Sequence, residues 1–142
     1  MKNTALLIDT NIVLDWLLER QPFTNSAERI MEYCISGNLR GYLSGHSLLN
    51  IFYITRKEKS IKDRKEILLM LCDWFEIINI DSEMIIIALQ NENWQDLEDG
   101  LQMQSAIQEK LEYIITRDIN GFAHSEIKAI LPEDFIKMQE GI

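Results

Sequence analysis

Two stretches of this chain set an aspartate at the end of a short apolar run. Ala5-Leu6-Leu7-Ile8 leads into Asp9-Thr10-Asn11, and Tyr113-Ile114-Ile115 leads into Thr116-Arg117-Asp118. A carboxylate directly after buried apolar residues is costly unless a cation or a hydrogen-bond network compensates it. Each aspartate has a threonine beside it or two residues before it, whose hydroxyl can bond a carboxylate or a bound water. A third acidic group, Asp96, Glu98 and Asp99, opens a helical pattern upstream of the second run. Acids in a first helical turn ordinarily complement the helix dipole, the simpler account of Asp96 and Glu98. Asp99 lies deeper and is followed by small and apolar residues, so it joins Asp9 and Asp118 as a site candidate. Converging carboxylates raise one another's pKa, and a divalent cation removes that penalty. Oxygen donors favour Mg²⁺ or Mn²⁺. Such an ion lowers the pKa of bound water and clamps a phosphoryl oxygen, the chemistry that in-line phosphodiester hydrolysis needs.

These residues meet only if their segments share one rim of the fold. The run at 5–8 has the look of a strand buried on both faces. Residues 12–20 carry Ile12, Val13, Trp16 and Leu17 at helical spacing, and Pro22 stops that helix. Asn25 or Ser26 is placed to cap a second helix with Ala27, Ile30, Met31, Cys34 and Ile35 on one side. Gly37 and Gly41 bracket a turn into a second strand at 42–44. A third helix follows Gly45 and His46, a fourth runs through Ile67, Leu68, Leu71, Cys72 and Phe75, and 76–80 is strand-like. Helices at 84–90 and 96–111 flank a loop at 91–94. Strands at 113–116 and 129–131 precede Pro132, which suits the first turn of a terminal helix. Strands alternating with helices mean an α/β fold, a parallel sheet covered on both faces. Ligands bind such sheets at the carboxyl ends of the strands, and helix starts lie on the same rim. Asp9, Asp99 and Asp118 then converge. With no repeat, low-complexity tract or linker, residues 1–142 read as a single domain.

The length of 142 residues and the 46% apolar content fit a folded chain with a sizeable core. A net charge of −9 argues against binding nucleic acid through overall electrostatics. It leaves open a local basic surface, or an acidic site that meets phosphates through a metal. Residues 56–65 (RKEKSIKDRK) are the basic exception, read most simply as a solvated loop between helices. Cys34 and Cys72 fall in amphipathic helical patterns and read as buried free thiols in a reducing compartment. Neither has a histidine at zinc spacing. No signal peptide is visible, and no stretch approaches the ~20 apolar residues that span a bilayer. A soluble, cytoplasmic protein with no membrane partner is expected. His46, at a helix start, reads as a capping or packing residue, and His124 falls in a polar loop. Of Trp16, Trp74 and Trp94, only Trp94, before the acidic helix, falls near the candidate site.

Leu7-Ile8-Asp9-Thr10-Asn11-Ile12-Val13-Leu14-Asp15 resembles the opening of PIN domains, a family that includes the VapC-type toxins of bacterial toxin–antitoxin pairs. The resemblance continues through Arg20-Gln21-Pro22-Phe23, through Leu48-Leu49-Asn50-Ile51-Phe52-Tyr53-Ile54-Thr55-Arg56-Lys57, and through Asp96-Leu97-Glu98-Asp99-Gly100-Leu101-Gln102. It closes on Ile115-Thr116-Arg117-Asp118-Ile119-Asn120-Gly121-Phe122. Each segment is degenerate alone. Together they keep the family's order and cover nearly the whole chain. The resemblance implies a PIN-like three-layer α/β/α sandwich with a central parallel sheet of four to five strands. It also implies an Mg²⁺- or Mn²⁺-dependent ribonuclease that leaves 5′-phosphate and 3′-hydroxyl ends. Carried over, Asp9, Asp99 and Asp118 are the catalytic, metal-binding carboxylates. Thr116 is the supporting hydroxyl, Thr10 and Asn11 stand beside Asp9, and Glu98 is an extra acid of one branch. Asp15 reads as a surface or structural residue, and Arg56, Lys57 and Lys59 are placed to guide an RNA backbone. The partners implied are an RNA substrate, an antitoxin protein and a second copy of the chain.

The chain departs from this pattern at one point. Many family members carry a Glu on the third helix, where this sequence has Asn50. Asparagine supplies a carbonyl oxygen but neither charge nor general-base capacity. Similar Asn-containing sequences form their own PIN branch, and Glu98 is placed to supply the missing charge. The alternative is a metal-binding, catalytically weak interaction module. Other α/β chemistries fit worse. A haloacid-dehalogenase-type phosphatase wants an Asp where Asn11 stands, a receiver domain wants an acidic pair at the first strand's end, and no Gly-x-Gly-x-x-Gly or P-loop pattern occurs.

Overall fold

Leu6, Leu7 and Ile8 have no exposed surface, because strand β1 (Ala5–Ile8) lies mid-sheet with helices on both faces. The computed structural model describes residues 3–141. β2 (Arg40–Ser44) and β4 (Tyr113–Ile115) pair with β1 in parallel, and β3 (Glu76–Ile78) and β5 (Lys128–Ile130) form the edges. Side chains alternate across each strand. Leu6, Ile8 and Ile115 enter one core with α1 (Thr10–Leu17), α2 (Thr24–Ile35), α3 (Gly45–Ile54), α4 (Ile61–Trp74) and α7 (Pro132–Glu140). Leu7 and Ile114 enter the other, with α5 (Ser82–Gln90) and α6 (Leu97–Gln108). Each such burial contributes about 1.5–3 kcal/mol. The result is the three-layer α/β/α sandwich that the sequence pattern leads one to expect, with five parallel strands.

The strand order β3-β2-β1-β4-β5 fixes where a site can form. The chain builds β1, β2 and β3 outward in one direction, then returns to lay β4 on the other side of β1. That reversal leaves a crevice between the carboxyl ends of β1 and β4. Ile8 is in register with Ile115, and the Asp9 amide donates to the Ile115 carbonyl at 3.0 Å. Asp9 and Thr116 therefore emerge side by side.

Four local expectations need correction. The second helix starts at Thr24, ahead of Asn25 and Ser26, and uses no side-chain cap. The Thr24 hydroxyl instead donates to the Asp15 carbonyl at 2.9 Å, tying α2 to α1. Gly41 is a strand residue, not part of a turn. A Cβ there would stand 2.6 Å from a Phe75 ring carbon and 2.8 Å from Cys34 Sγ, so β2 closes on both only through a bare backbone. Cys34 is buried, and burial pushes its thiol up to about 12. Cys72 is exposed, because α4 turns its neighbour Leu71 into the core. Residues 56–65 are not one loop. Thr55–Lys57 forms a 3-10 turn, and Ser60 caps α4 by accepting from the Asp63 amide at 3.1 Å. Among the described residues no helix is long and apolar enough to cross a membrane.

Candidate active site

Asp9 sits one residue beyond β1 as the N-cap of α1, and it is 5% exposed. Protein donors occupy both of its oxygens. Oδ1 accepts from the Thr10 amide at 2.9 Å and from Gln102 Nε2 at 3.0 Å, and Oδ2 accepts from the Thr116 hydroxyl at 2.8 Å. Burial pushes its pKa up and outweighs these donors, and the negative charge of Asp118 adds to the rise.

Beyond β4 the side chains diverge. Thr116 and Asp118 serve the Asp9 side, whereas Arg117 turns away to Asp15. The Asp118 amide donates to Thr116 Oγ1 at 3.0 Å, and its carboxylate accepts from the Gly121 amide at 2.9 Å. A Cβ on Gly121 would collide with Asp118 Oδ2 and stand 2.9 Å from Asp99 Oδ2. Two carboxylates thus crowd one point over a residue that has no side chain. Asp99 is half-buried and its pKa is pushed up to about 7, by burial first and then by Asp96, Asp9, Asp118 and Glu98. The cleft at this point is about 390 Å³, lined by Trp94, Asp96, Asp99, Asp118, Gly121 and His124.

A polar seam closes the other flank. On α6, Glu98, Gln102 and Ser105 are spaced to share one face. Opposite them stand Ser44 at the end of β2 and Ser47 and Asn50 on α3. Ser105 donates to Ser44 at 3.3 Å, Gln102 Nε2 to Ser47 at 3.3 Å, and Asn50 Nδ2 to Glu98 Oε2 at 2.6 Å. The Thr10 hydroxyl joins Ser47 at 2.8 Å, linking the seam to Asp9. Ser44, Ser47, Gln102 and Ser105 are wholly buried, and Gln102 Oε1 has no hydrogen-bond partner among the described residues. Burial raises the pKa of Glu98, with Asp9 and Asp96 adding to it.

Among the described residues, no three Asp, Glu, His or Cys side chains stand close enough as placed to hold an ion. The donor set nevertheless suits a hard divalent cation. It is all oxygen, its acids raise one another's pKa, and Gly121 leaves a cradle that a Cβ would fill.

A family model for the PIN domain matches residues 5–120. The chain belongs to the PIN domain family. No curated protein sequence matches it. Among solved structures it is similar to a toxin–antitoxin complex from Klebsiella pneumoniae, at 24% identity and a TM-score of 0.67 over 89% of this chain and 97% of that one. VapBC-1 from nontypeable Haemophilus influenzae gives 14% identity and a TM-score of 0.68 over 92% and 99%. Mycobacterium tuberculosis VapC20, described as a sarcin–ricin loop cleaving toxin, gives 10% and 0.67 over 84% and 94%. At these identities the likeness is one of fold.

Within this PIN domain Asp9, Thr10, Asp99, Thr116 and Asp118 gather where the sequence pattern puts them. Asp96 is a cap, its Oδ1 accepting from the Glu98 amide at 2.9 Å, but Glu98 itself turns inward to Asn50. Asn11 faces outward and accepts from Arg20 at 3.3 Å. Asp15 is structural and wholly buried, not a surface residue, with Arg117 on both its oxygens at 2.6 and 3.1 Å. A cavity of about 430 Å³ beside that pair, lined by Pro22, Phe23 and Glu133, therefore has its buried acid already matched. Arg56, Lys57 and Lys59 lie past the far end of α3, and Arg56 stacks on the Tyr53 ring at 3.8 Å. His46 packs, its Nδ1 2.6 Å from Ser44 Oγ, and burial lowers its pKa to about 4. His124, by contrast, lines the PIN cleft, as does Trp94 against Phe122. Sequence reasoning missed Ser44, Ser47, Gln102, Ser105 and Gly121. For the seam, the available signal was polar residues at three- and four-residue spacing, Ser44, Ser47 and Asn50 against Glu98, Gln102 and Ser105.

Proposed function

We propose that this PIN domain is an Mg²⁺- or Mn²⁺-dependent endoribonuclease, the toxin of a toxin–antitoxin pair, working in the cytoplasm. The observation that carries this reading is the gathering of Asp9, Asp99 and Asp118 at the switch point between β1 and β4. These three carboxylates would hold the cation, which when bound supplies an activated water and offsets charge on the phosphate. Thr116 and Gln102 keep the oxygens of Asp9 oriented. Gly121 leaves room between Asp99 and Asp118, and Trp94 offers an aromatic face for a base at the mouth of the cleft. Arg56, Lys57 and Lys59 would take up the RNA backbone beyond the cleft. In a chain of net charge −9 such local contacts have to replace overall attraction. Products would carry 5′-phosphate and 3′-hydroxyl ends.

The partners proposed are an antitoxin and a second copy of the chain. Leu49 and Tyr53 on α3 are 72% and 61% exposed and share one stripe, and α5 shows Ile86 and Leu89 in the same way. Apolar patches of this kind mark interaction surfaces. The test of the activity is direct. Purified protein with Mn²⁺ cuts RNA, and Asp9→Asn lowers the rate on the order of a hundredfold or more while staying folded. A wild-type chain that cuts no RNA, or an Asp9→Asn chain that cuts as well, overturns it. The uncharged Asn50 favours a second reading, a metal-binding interaction module, in which Mn²⁺ stabilises the fold without any cleavage.

A further inference from the structure

Besides Asp96, Asp99 and Asp118, the cleft of about 390 Å³ is lined by Trp94, His124 and the side-chain amides of Asn93, Gln95 and Asn120. Among the described residues no lysine or arginine lines it, so a bare phosphate entering there meets carboxylates. Such a lining suits a flat group that carries N–H donors, and the volume is that of a small-ligand site. In an RNA that group is a base. We propose that this cleft takes one unpaired base bearing an exocyclic amine, and that Asp96 selects it by accepting from that amine. The proposal rests on the reading of RNA as the substrate.

Asp96 is the lining acid left over from the candidate cation site. Asp99 and Asp118 crowd the point over Gly121, whereas Asp96 stands one turn earlier, as the N-cap of α6. Its Oδ1 accepts from the Glu98 amide at 2.9 Å, and its other oxygen makes no hydrogen bond among the described residues. The cap therefore holds the carboxylate still while one acceptor stays open. A carboxylate accepts well from the amine of cytosine or adenine. Uracil and hypoxanthine put a carbonyl oxygen at that place, and their remaining N–H lies beside an oxygen that a carboxylate repels. The cleft is built before any base arrives. Asn91 Oδ1 accepts from the Asn93 amide at 3.0 Å, and the Asn91 carbonyl from the Trp94 amide at 3.3 Å. The Trp94 ring meets the buried Phe122 ring edge-on at 5.7 Å, which fixes an aromatic surface in the lining. Trp94 Nε1 is buried with no hydrogen-bond partner among the described residues, a donor that an acceptor on the base would match.

The experiment is a titration of the metal-free full chain with adenosine, inosine, cytidine and uridine, followed by the NMR signals of the Trp94 indole and the His124 ring. These nucleosides carry no phosphate, and each pair differs by an amine against a carbonyl. Adenosine is expected to bind about tenfold tighter than inosine, and cytidine about tenfold tighter than uridine. Asp96→Asn keeps the cap, since asparagine caps a helix as well as aspartate does. Its amide also donates, so both preferences are expected to vanish or reverse. Trp94→Leu is expected to weaken all four nucleosides alike, about tenfold, with the preferences kept and melting checking the fold. An Asp96→Asn chain that keeps the wild-type preferences overturns the proposal. So does a wild-type chain that binds none of the four, or one that binds arginine amide in their place, which would mark the cleft as a groove for a basic peptide. A chain that shows the preferences but cuts no RNA with Mn²⁺ supports the base site and overturns the ribonuclease reading alone.

Discussion

Asp99 is where the charge of the pocket is most easily read in solution. Its pKa rises from 3.8 to about 7 because it is half-buried among Asp96, Asp9, Asp118 and Glu98. Between those two values the metal-free folded chain keeps a proton that the unfolded chain has lost. Stability therefore falls as pH rises through that window. His46 works in the opposite sense. Its pKa drops from 6.5 to about 4, so there the unfolded chain binds the extra proton and stability rises with pH. Asp99→Asn removes the first effect and leaves the second. Without metal, its melting temperature should exceed that of wild type near pH 7, and the gap should close towards pH 4. Two parallel melting profiles would mean that Asp99 is not crowded by its neighbours. Asp9 and Glu98 shift in the same direction as Asp99, so a bound cation should flatten the wild-type profile.

At the scale of elements, the segment after β4 has to be held against α1 for Thr116 to meet Asp9. Arg117 does this by clamping the wholly buried Asp15 of α1 with two hydrogen bonds, while its guanidinium stacks on Phe23 at 3.8 Å. Removing one partner of a buried pair strands the other charge, at a cost of about 3–5 kcal/mol. Arg117→Ala should lower the unfolding free energy by an amount near the lower end of that range, read as a lower urea midpoint with the slope unchanged. Arg117→Lys should recover little, since an ammonium does not reproduce the two-pronged contact. An unfolding free energy within about 1 kcal/mol of wild type would show that Arg20, 3.7 Å from Asp15, already suffices. Much of this architecture was legible in the sequence. The strands declare themselves as short unbroken apolar runs, and Asp9 and Asp118 stand out because each ends one. What escaped notice is what depends on distant partners. Gln102 and Ser47 look like ordinary helix polar residues until 55 positions of chain fold back to pair them. Glu98 shares its first-turn position with Asp99, and only the approach of α3 shows that it turns inward. Gly41 looked like a turn because the ring of Phe75 that excludes a side chain there belongs to another element.

For the whole molecule, α3 has two jobs on opposite faces. Its inner face delivers Ser47 and Asn50 to the pocket and Ile51 to the core. Its outer face presents Leu49 and Tyr53, both largely exposed, with Arg56 stacked on the Tyr53 ring. A surface helix normally carries polar residues on its outer stripe, so two large apolar side chains one turn apart point to a covering partner. The proposed second copy of the chain would meet this need by a twofold contact, which lays the same patch against itself. Leu49→Glu with Tyr53→Glu would bring four carboxylates together at such a contact, and like charges there cost several kcal/mol. Because both positions contribute little to the core, the fold and the Mn²⁺ affinity should be unchanged. Sedimentation should show a wild-type dimer at tens of micromolar and a monomeric variant. If both chains sediment as dimers, the association uses another face, with the exposed Ile86 and Leu89 of α5 the next surface to charge. A wild-type chain that stays monomeric would instead leave the α3 stripe to the antitoxin, and the same double substitution should then abolish capture of that partner.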